Sequence, residues 1–316
     1  MIAGRQAPEG YRLDLDRPVG EALRSVATQQ LLDGAHRLRE SRSHEDVDAA
    51  VHNARKALKK TRSLLRLARP DLPADTYREE NGSLRDVGRG LSDARDSVVL
   101  VATFDELVAQ LVGLVPEPAV VELRRWLATG AGAPVRSRRA LAEEAARALE
   151  AAAGRAQAWP LEGCDAATLR AGAQHAYARG RRAWRTAERK PTVEHLHAWR
   201  KRMKDLWYHQ RLLATAWPQA LEPQAKQSHR LSDLLGDDHD LALLRAALGG
   251  DGGPMSRTAA DLEPVLELIA ERRAELRAQA QDLAARVYAE KPKAYGRRLG
   301  AYVHAAHDVS TSSLGT

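Results

Sequence analysis

The chain has 316 residues, with 49 Lys and Arg against 42 Asp and Glu, for a net charge of +7. That length allows one large domain or two of ordinary size, with a core that needs no covalent staple. A single cysteine, Cys164, excludes an intramolecular disulfide framework and a multi-cysteine zinc site.

Two isoleucines and one phenylalanine stand against an abundance of Ala, Leu, Arg and Glu. Good helix formers therefore dominate and strand formers are scarce, so an all-α fold is expected. No stretch between charged residues is long enough for the roughly 20-residue apolar run of a membrane span. The first residues, MIAGRQAPEGYRLDLDRP, lack an apolar h-region. A cytoplasmic protein without a secretory signal is the expectation.

In chain order, periodicity and breakers predict helices over 19–42, 44–69, 75–90, 93–112, 117–129 and 136–154. The series continues over 165–189, 192–216, 222–235, 237–248 and 257–289. Pro70, Pro116, Pro191, Pro218 and Pro254 punctuate the joins. Gly236 followed by Asp237 reads as a helix stop and an Asp N-cap. The loop Gly249–Pro254 is expected to be the most flexible interior connection, and the tail VSTSSLGT to be unstructured.

Three segments recur in the same order. VHNARKALKKTR from Val51 matches LHAWRKRMKDLWYH from Leu196, with His52 and His197 145 residues apart. LSDARDSVVL from Leu91 matches LGDDHDLALL from Leu235, and Gly34 precedes His52 much as Gly180 precedes His197. Such order at nearly one offset indicates a duplication. The turn-rich segments GAGAP (130–134) and WPLEGCD (159–165) are candidate boundaries, and the halves are placed at 1–160 and 161–316.

The segment 51–70 carries seven cations and no acid. On a helix, His52, Arg55, Lys56, Lys59, Arg62 and Arg66 share one face with Lys60 on its flank, while Ala54, Leu58, Thr61, Leu65 and Ala68 lie opposite. The second copy aligns His197, Arg200, Lys201, Lys204, Tyr208 and Arg211. Each stripe is roughly 20 Å long. Cations without interleaved acids repel one another unless an external anion neutralises them, so an anion site is expected. Asp205 stands where the first copy has Lys60, and Trp207 where it has Arg62, so the second stripe is expected to be the weaker. His52 and His197 can donate to phosphate oxygens, and ordinary histidine behaviour would weaken binding as pH rises through about 6 to 7.5. Asp237, Asp238, His239 and Asp240 could suggest a metal. The first copy replaces that histidine with Arg95, and no metal site or other cofactor is expected.

These motifs, their order and their duplication resemble the CHAD family (conserved histidine α-helical domain), from about Arg12 to about Leu299. The resemblance implies two four-helix bundles related by pseudo-twofold symmetry, with a basic central groove or pore. It also implies binding of inorganic polyphosphate and association with polyphosphate granules. By resemblance His52, Arg55, Lys56, Lys59 and Arg62, with His197, Arg200, Lys201 and Lys204, carry that role. No P-loop, nucleophile elbow or dinucleotide fingerprint is present, so a binding module without catalysis is expected. The alternatives are a single-stranded nucleic-acid binder, which would use Trp199, Trp207 and Tyr208, a polyphosphate-processing enzyme, which would need the clustered Asp residues, and a scaffold for an acidic protein.

Overall fold

The computed structural model describes residues 10–41, 43–91, 96–113, 115–129, 138–249 and 259–313. Among them are eleven α-helices, one short 3-10 turn and no strand. In order these are α1 (Val19–Glu40), α2 (His44–Ala68), α3 (Ala74–Gly90), α4 (Asp96–Val108), α5 (Glu117–Thr129) and α6 (Arg138–Gln157). There follow α7 (Ala166–Arg189), α8 (Val193–Leu212), the turn Ala214–Ala216, α9 (Pro218–Leu248), α10 (Ala259–Val287) and α11 (Pro292–Ser313).

Local chemistry sets the helix starts. Ser43 accepts from Asp46 N at 3.1 Å while Asp46 accepts from Ser43 N at 3.0 Å, a reciprocal cap that opens α2. Asp165 accepts from the amides of Ala167 and Thr168 at the head of α7, and Thr192 from that of His195 at the head of α8. Pro70 follows α2, and Pro218 is the first residue of α9.

α2 lies at the centre and packs against α1, α3, α6, α7 and α8. Ala54, Leu58, Thr61, Leu65 and Ala68 are all buried, as the helical period requires, and so are Leu64 and Leu67. One large core joins α1, α2, α6, α7, α8 and α11 with the first part of α9 and the end of α10. A second, smaller core is built by α4 and α5 from the first half with the later turns of α9 and the start of α10, around Phe104, Leu244, Val265 and Ile269. The cores therefore cross residue 160, where the halves were divided. Close approach also depends on the matched glycines. Gly34 lets α1 meet α2 at Ala54 and Ala57, whereas Gly180 admits the ring of Tyr288.

Two expectations are corrected. Gly236 ends no helix, because α9 runs unbroken through it and Asp237 is no N-cap. Residues 292–313 form α11, so the tail through Ser313 is helical, and Tyr295, Leu299 and Val303 are buried in the large core. The GAGAP segment, the loop 250–254 and the last three residues lie outside the described residues.

Candidate anion-binding cleft

α2 and α8 meet at three polar contacts. Ser63 Oγ donates to Asp205 O at 3.3 Å, His209 Nε2 lies 2.8 Å from Ser63 O, and Arg66 Nη1 reaches Asp205 Oδ1 at 3.1 Å. A carbonyl only accepts, so His209 carries its hydrogen on Nε2. Complete burial pushes its pKa down and keeps the ring neutral.

Beside this crossing lies a cleft of about 600 Å³. α2 lines it with Arg55, Lys59, Arg62 and Arg66, and α3 with Arg85 and Arg89. α8 supplies His197, Arg200, Lys201, Arg202 and Lys204, together with Asp205 and Tyr208, while α9 supplies His239 and Asp240. Among the described residues, ten cations thus face two carboxylates.

The guanidiniums are seated individually. Arg55 Nη1 donates to Leu91 O at 2.9 Å, a carbonyl just past the end of α3. Arg62 Nε donates to Asn81 Oδ1 at 3.0 Å. Arg200 lies against the bare backbone of Gly236, where a Cβ would stand 3.1 Å from its Nη2 and 3.4 Å from its Nε. That contact explains the glycine inside α9. Burial and the neighbouring Arg66 push the pKa of Arg62 down to about 10. Lys201 and Arg202 are lowered as well, first by burial and then by neighbouring charges. Like charges are held together here at a cost that a bound anion would offset.

His197 and His239 stack with ring centroids 4.4 Å apart. Burial first, then Lys201, pushes His197 down to about 4. His239 is lowered by burial and by Arg200. His197 is therefore neutral near pH 7, its pKa lying below the range from 6 to 7.5 expected of an ordinary histidine. Nδ1 of both rings and Nε of Arg200 are buried without a hydrogen-bond partner among the described residues.

Eight of the twelve expected binding residues line this cleft: Arg55, Lys59, Arg62, Arg66, His197, Arg200, Lys201 and Lys204. The other four do not. His52 is half-buried and lies outside the lining. Lys56 and Arg211 line a second cavity of about 740 Å³, where the Arg211 guanidinium sits 5.3 Å over the Trp207 ring. Lys60 turns to α1, its Nζ 2.6 Å from Gln30 Oε1, and burial together with Arg211 and Lys56 pushes it down to about 8.

Sequence reasoning missed Arg85, Arg89, Arg202, His239 and Asp240 as lining. The spacing of Asn81, Arg85 and Arg89 at i, i+4 and i+8 on α3 was an available signal. The run from Asp237 fans out around α9. Asp238 is 2% exposed and binds Arg273 and Arg277 on α10 at 3.0 and 2.8 Å, whereas Asp240 faces the cleft and Asp237 the second cavity. Among the described residues no three His, Cys, Asp or Glu side chains converge as a metal site would.

Fold and cleft together define an all-helical protein whose charged side chains converge from several helices on one cavity. The chain belongs to the CHAD domain family, whose model matches residues 17–249. The match ends before α10 and α11, although both complete the cores. No curated protein matches the chain. Among the described residues no helix is long and apolar enough to cross a membrane.

Proposed function

We propose that this protein binds inorganic polyphosphate in the cleft beside the α2–α8 crossing, without chemical turnover, and that this binding can attach it to polyphosphate granules. The observation that carries the reading is the excess of cations over carboxylates, ten to two among the described residues, around about 600 Å³. A flexible chain with about one charge per phosphate suits a wall of guanidiniums and ammoniums, because arginine forks take phosphate oxygens bidentately and lysines add point charges. The buried, unpartnered Arg200 Nε supplies a donor that a ligand oxygen would satisfy.

Nucleic acid is the less suitable polyanion. Single strands are held by exposed aromatic platforms. Trp199 is fully buried, Tyr208 is 3% exposed, and Trp207 lines the other cavity.

Calorimetry and thermal melting with polyphosphates of defined length test the reading. Binding is expected to raise the melting temperature by mass action. It should weaken with salt at a log–log slope of roughly −4 to −7 if about six to ten phosphates are neutralised. A slope near −1 without a thermal shift would reduce the cleft to ordinary solvated surface.

A further inference from the structure

The corner where α8 meets α9 is built differently from the basic walls of the cleft. Among the described residues, every lining cation stands on α2, α3 or α8. α9 contributes His239, Asp240 and Leu243 to the lining, and the bare backbone of Gly236 lies against Arg200. About one turn separates His197 from Arg200 on α8, and the same step separates Gly236 from His239 on α9. The two helices therefore meet rung by rung. His197 stacks on His239 with centroids 4.4 Å apart, and Arg200 packs on Gly236.

Each ring can meet a ligand through one nitrogen only, because Nδ1 of both is buried without a hydrogen-bond partner. An orphaned buried N–H is rarer in proteins than an under-used acceptor, so the hydrogen belongs on Nε2. Burial holds the pKa of both rings below the usual histidine value. His197 and His239 thus offer Nε2–H donors that add no positive charge. Arg200, whose buried Nε has no partner, and Lys201 stand beside them in the lining.

Such a corner suits the end of a phosphate chain better than its middle. An internal phosphate has two free oxygens and needs room for the chain on both sides. A terminal phosphate has three free oxygens and a chain on one side only. The α9 wall gives a continuing chain no cation, and Asp240 repels an internal phosphate, which is fully ionised. An end group alone keeps a weakly acidic hydroxyl, with a pKa of about 6 in phosphate monoesters, that a carboxylate can accept.

We propose that the α8–α9 corner is a socket for the terminal phosphate of the chain. His197, Arg200, Lys201 and His239 hold its three free oxygens, and the rest of the chain runs back along the basic walls of α2, α3 and α8. This rests on reading the cleft as a polyphosphate site, and it makes the protein recognise chain ends.

The first test needs only the wild-type protein. Calorimetric titration with long linear polyphosphates of increasing length is expected to saturate at two protein copies per chain, one for each end. Copies that increase in proportion to length would overturn the socket and leave the cleft assignment standing. A wild type that binds no linear polyphosphate overturns both. The second test compares linear and cyclic polyphosphates with equal numbers of phosphates, since a ring has no end. His239→Phe keeps a stacked ring and the charge of a neutral histidine but removes the donor. It is expected to weaken linear binding about tenfold while cyclic binding and the salt slope stay as in wild type. A folded H239F that binds linear chains as tightly as wild type, or loses the same factor on both ligands, overturns the socket. If H239F does not fold, the wild-type stoichiometry decides alone.

Discussion

His197 enters the cleft uncharged, and its linkage to pH has a definite sign. Burial lowers it from the usual 6.5 to about 4 in the folded chain. Between those values the unfolded chain binds the proton more readily, so this residue makes the folded protein less stable as pH falls from about 6.5 towards 4. A polyanion beside the ring acts oppositely by favouring the imidazolium. Binding near pH 5.5 is therefore expected to take up protons, with His239 contributing through the shared stack. Heats measured in two buffers of different ionisation enthalpy should differ, and His239→Asn should shrink the difference. Identical heats in both buffers would disprove the coupling. A second expectation concerns Gly236. Alanine there should favour helix α9 by about 0.5–1 kcal/mol, yet it forces the Arg200 guanidinium to retreat. The melting temperature should hold or rise while polyphosphate affinity falls by less than about tenfold. A lower melting temperature would show that the added methyl disturbs packing rather than the site.

The two basic helices line the cleft in a different proportion from the one their charge runs suggest. α2 carries the acid-free segment, but Lys56 faces the second cavity, Lys60 faces α1, and Arg66 is held by Asp205. On α8, Arg200, Lys201 and Lys204 all line the cleft. Replacing those three by Ala is expected to weaken binding at least as much as replacing Arg55, Lys56 and Lys59. A clearly larger loss from the second set would restore the ranking read from sequence. What was legible here was periodicity: the buried Ala54–Ala68 face of α2 follows from local spacing. What was not legible depends on neighbours. An isolated glycine before aspartate looks like a helix end, and only the side chain of Arg200 on a different helix explains why it is not. Likewise Lys56 and Lys59 share a stripe on the helical wheel, and the packing of other helices around α2 sends them to different cavities. α11 is a different kind of miss. Tyr295, Leu299, Tyr302 and Val303 have the spacing of a helix face, and the pattern was present to be read.

Across the whole molecule, the family match and the folding unit do not coincide. The match stops at residue 249, yet Tyr288, Tyr295, Leu299 and Val303 are buried in the large core and Leu262, Val265 and Ile269 in the small one. The rings of Tyr177, Tyr288 and Tyr295 pack together, with Tyr177 stacked on Tyr295 at 4.2 Å and edge-on to Tyr288 at 5.3 Å. A fragment ending at 249 is therefore expected to lack a cooperative melt and the near-ultraviolet dichroism of fixed aromatics. A sharp melt from that fragment would show that α10 and α11 are accessories.

The small core has a consequence for synthesis. α4 and α5 emerge early from the ribosome, but their apolar partners on α10 follow about 150 residues after α4. At about 5–20 residues per second, that hairpin waits roughly 8–30 s before its oily side is fully covered. Nascent chains stalled before residue 259 should recruit holdase chaperones through Phe104, Leu107 and Leu111, and release them once α10 has cleared the exit tunnel.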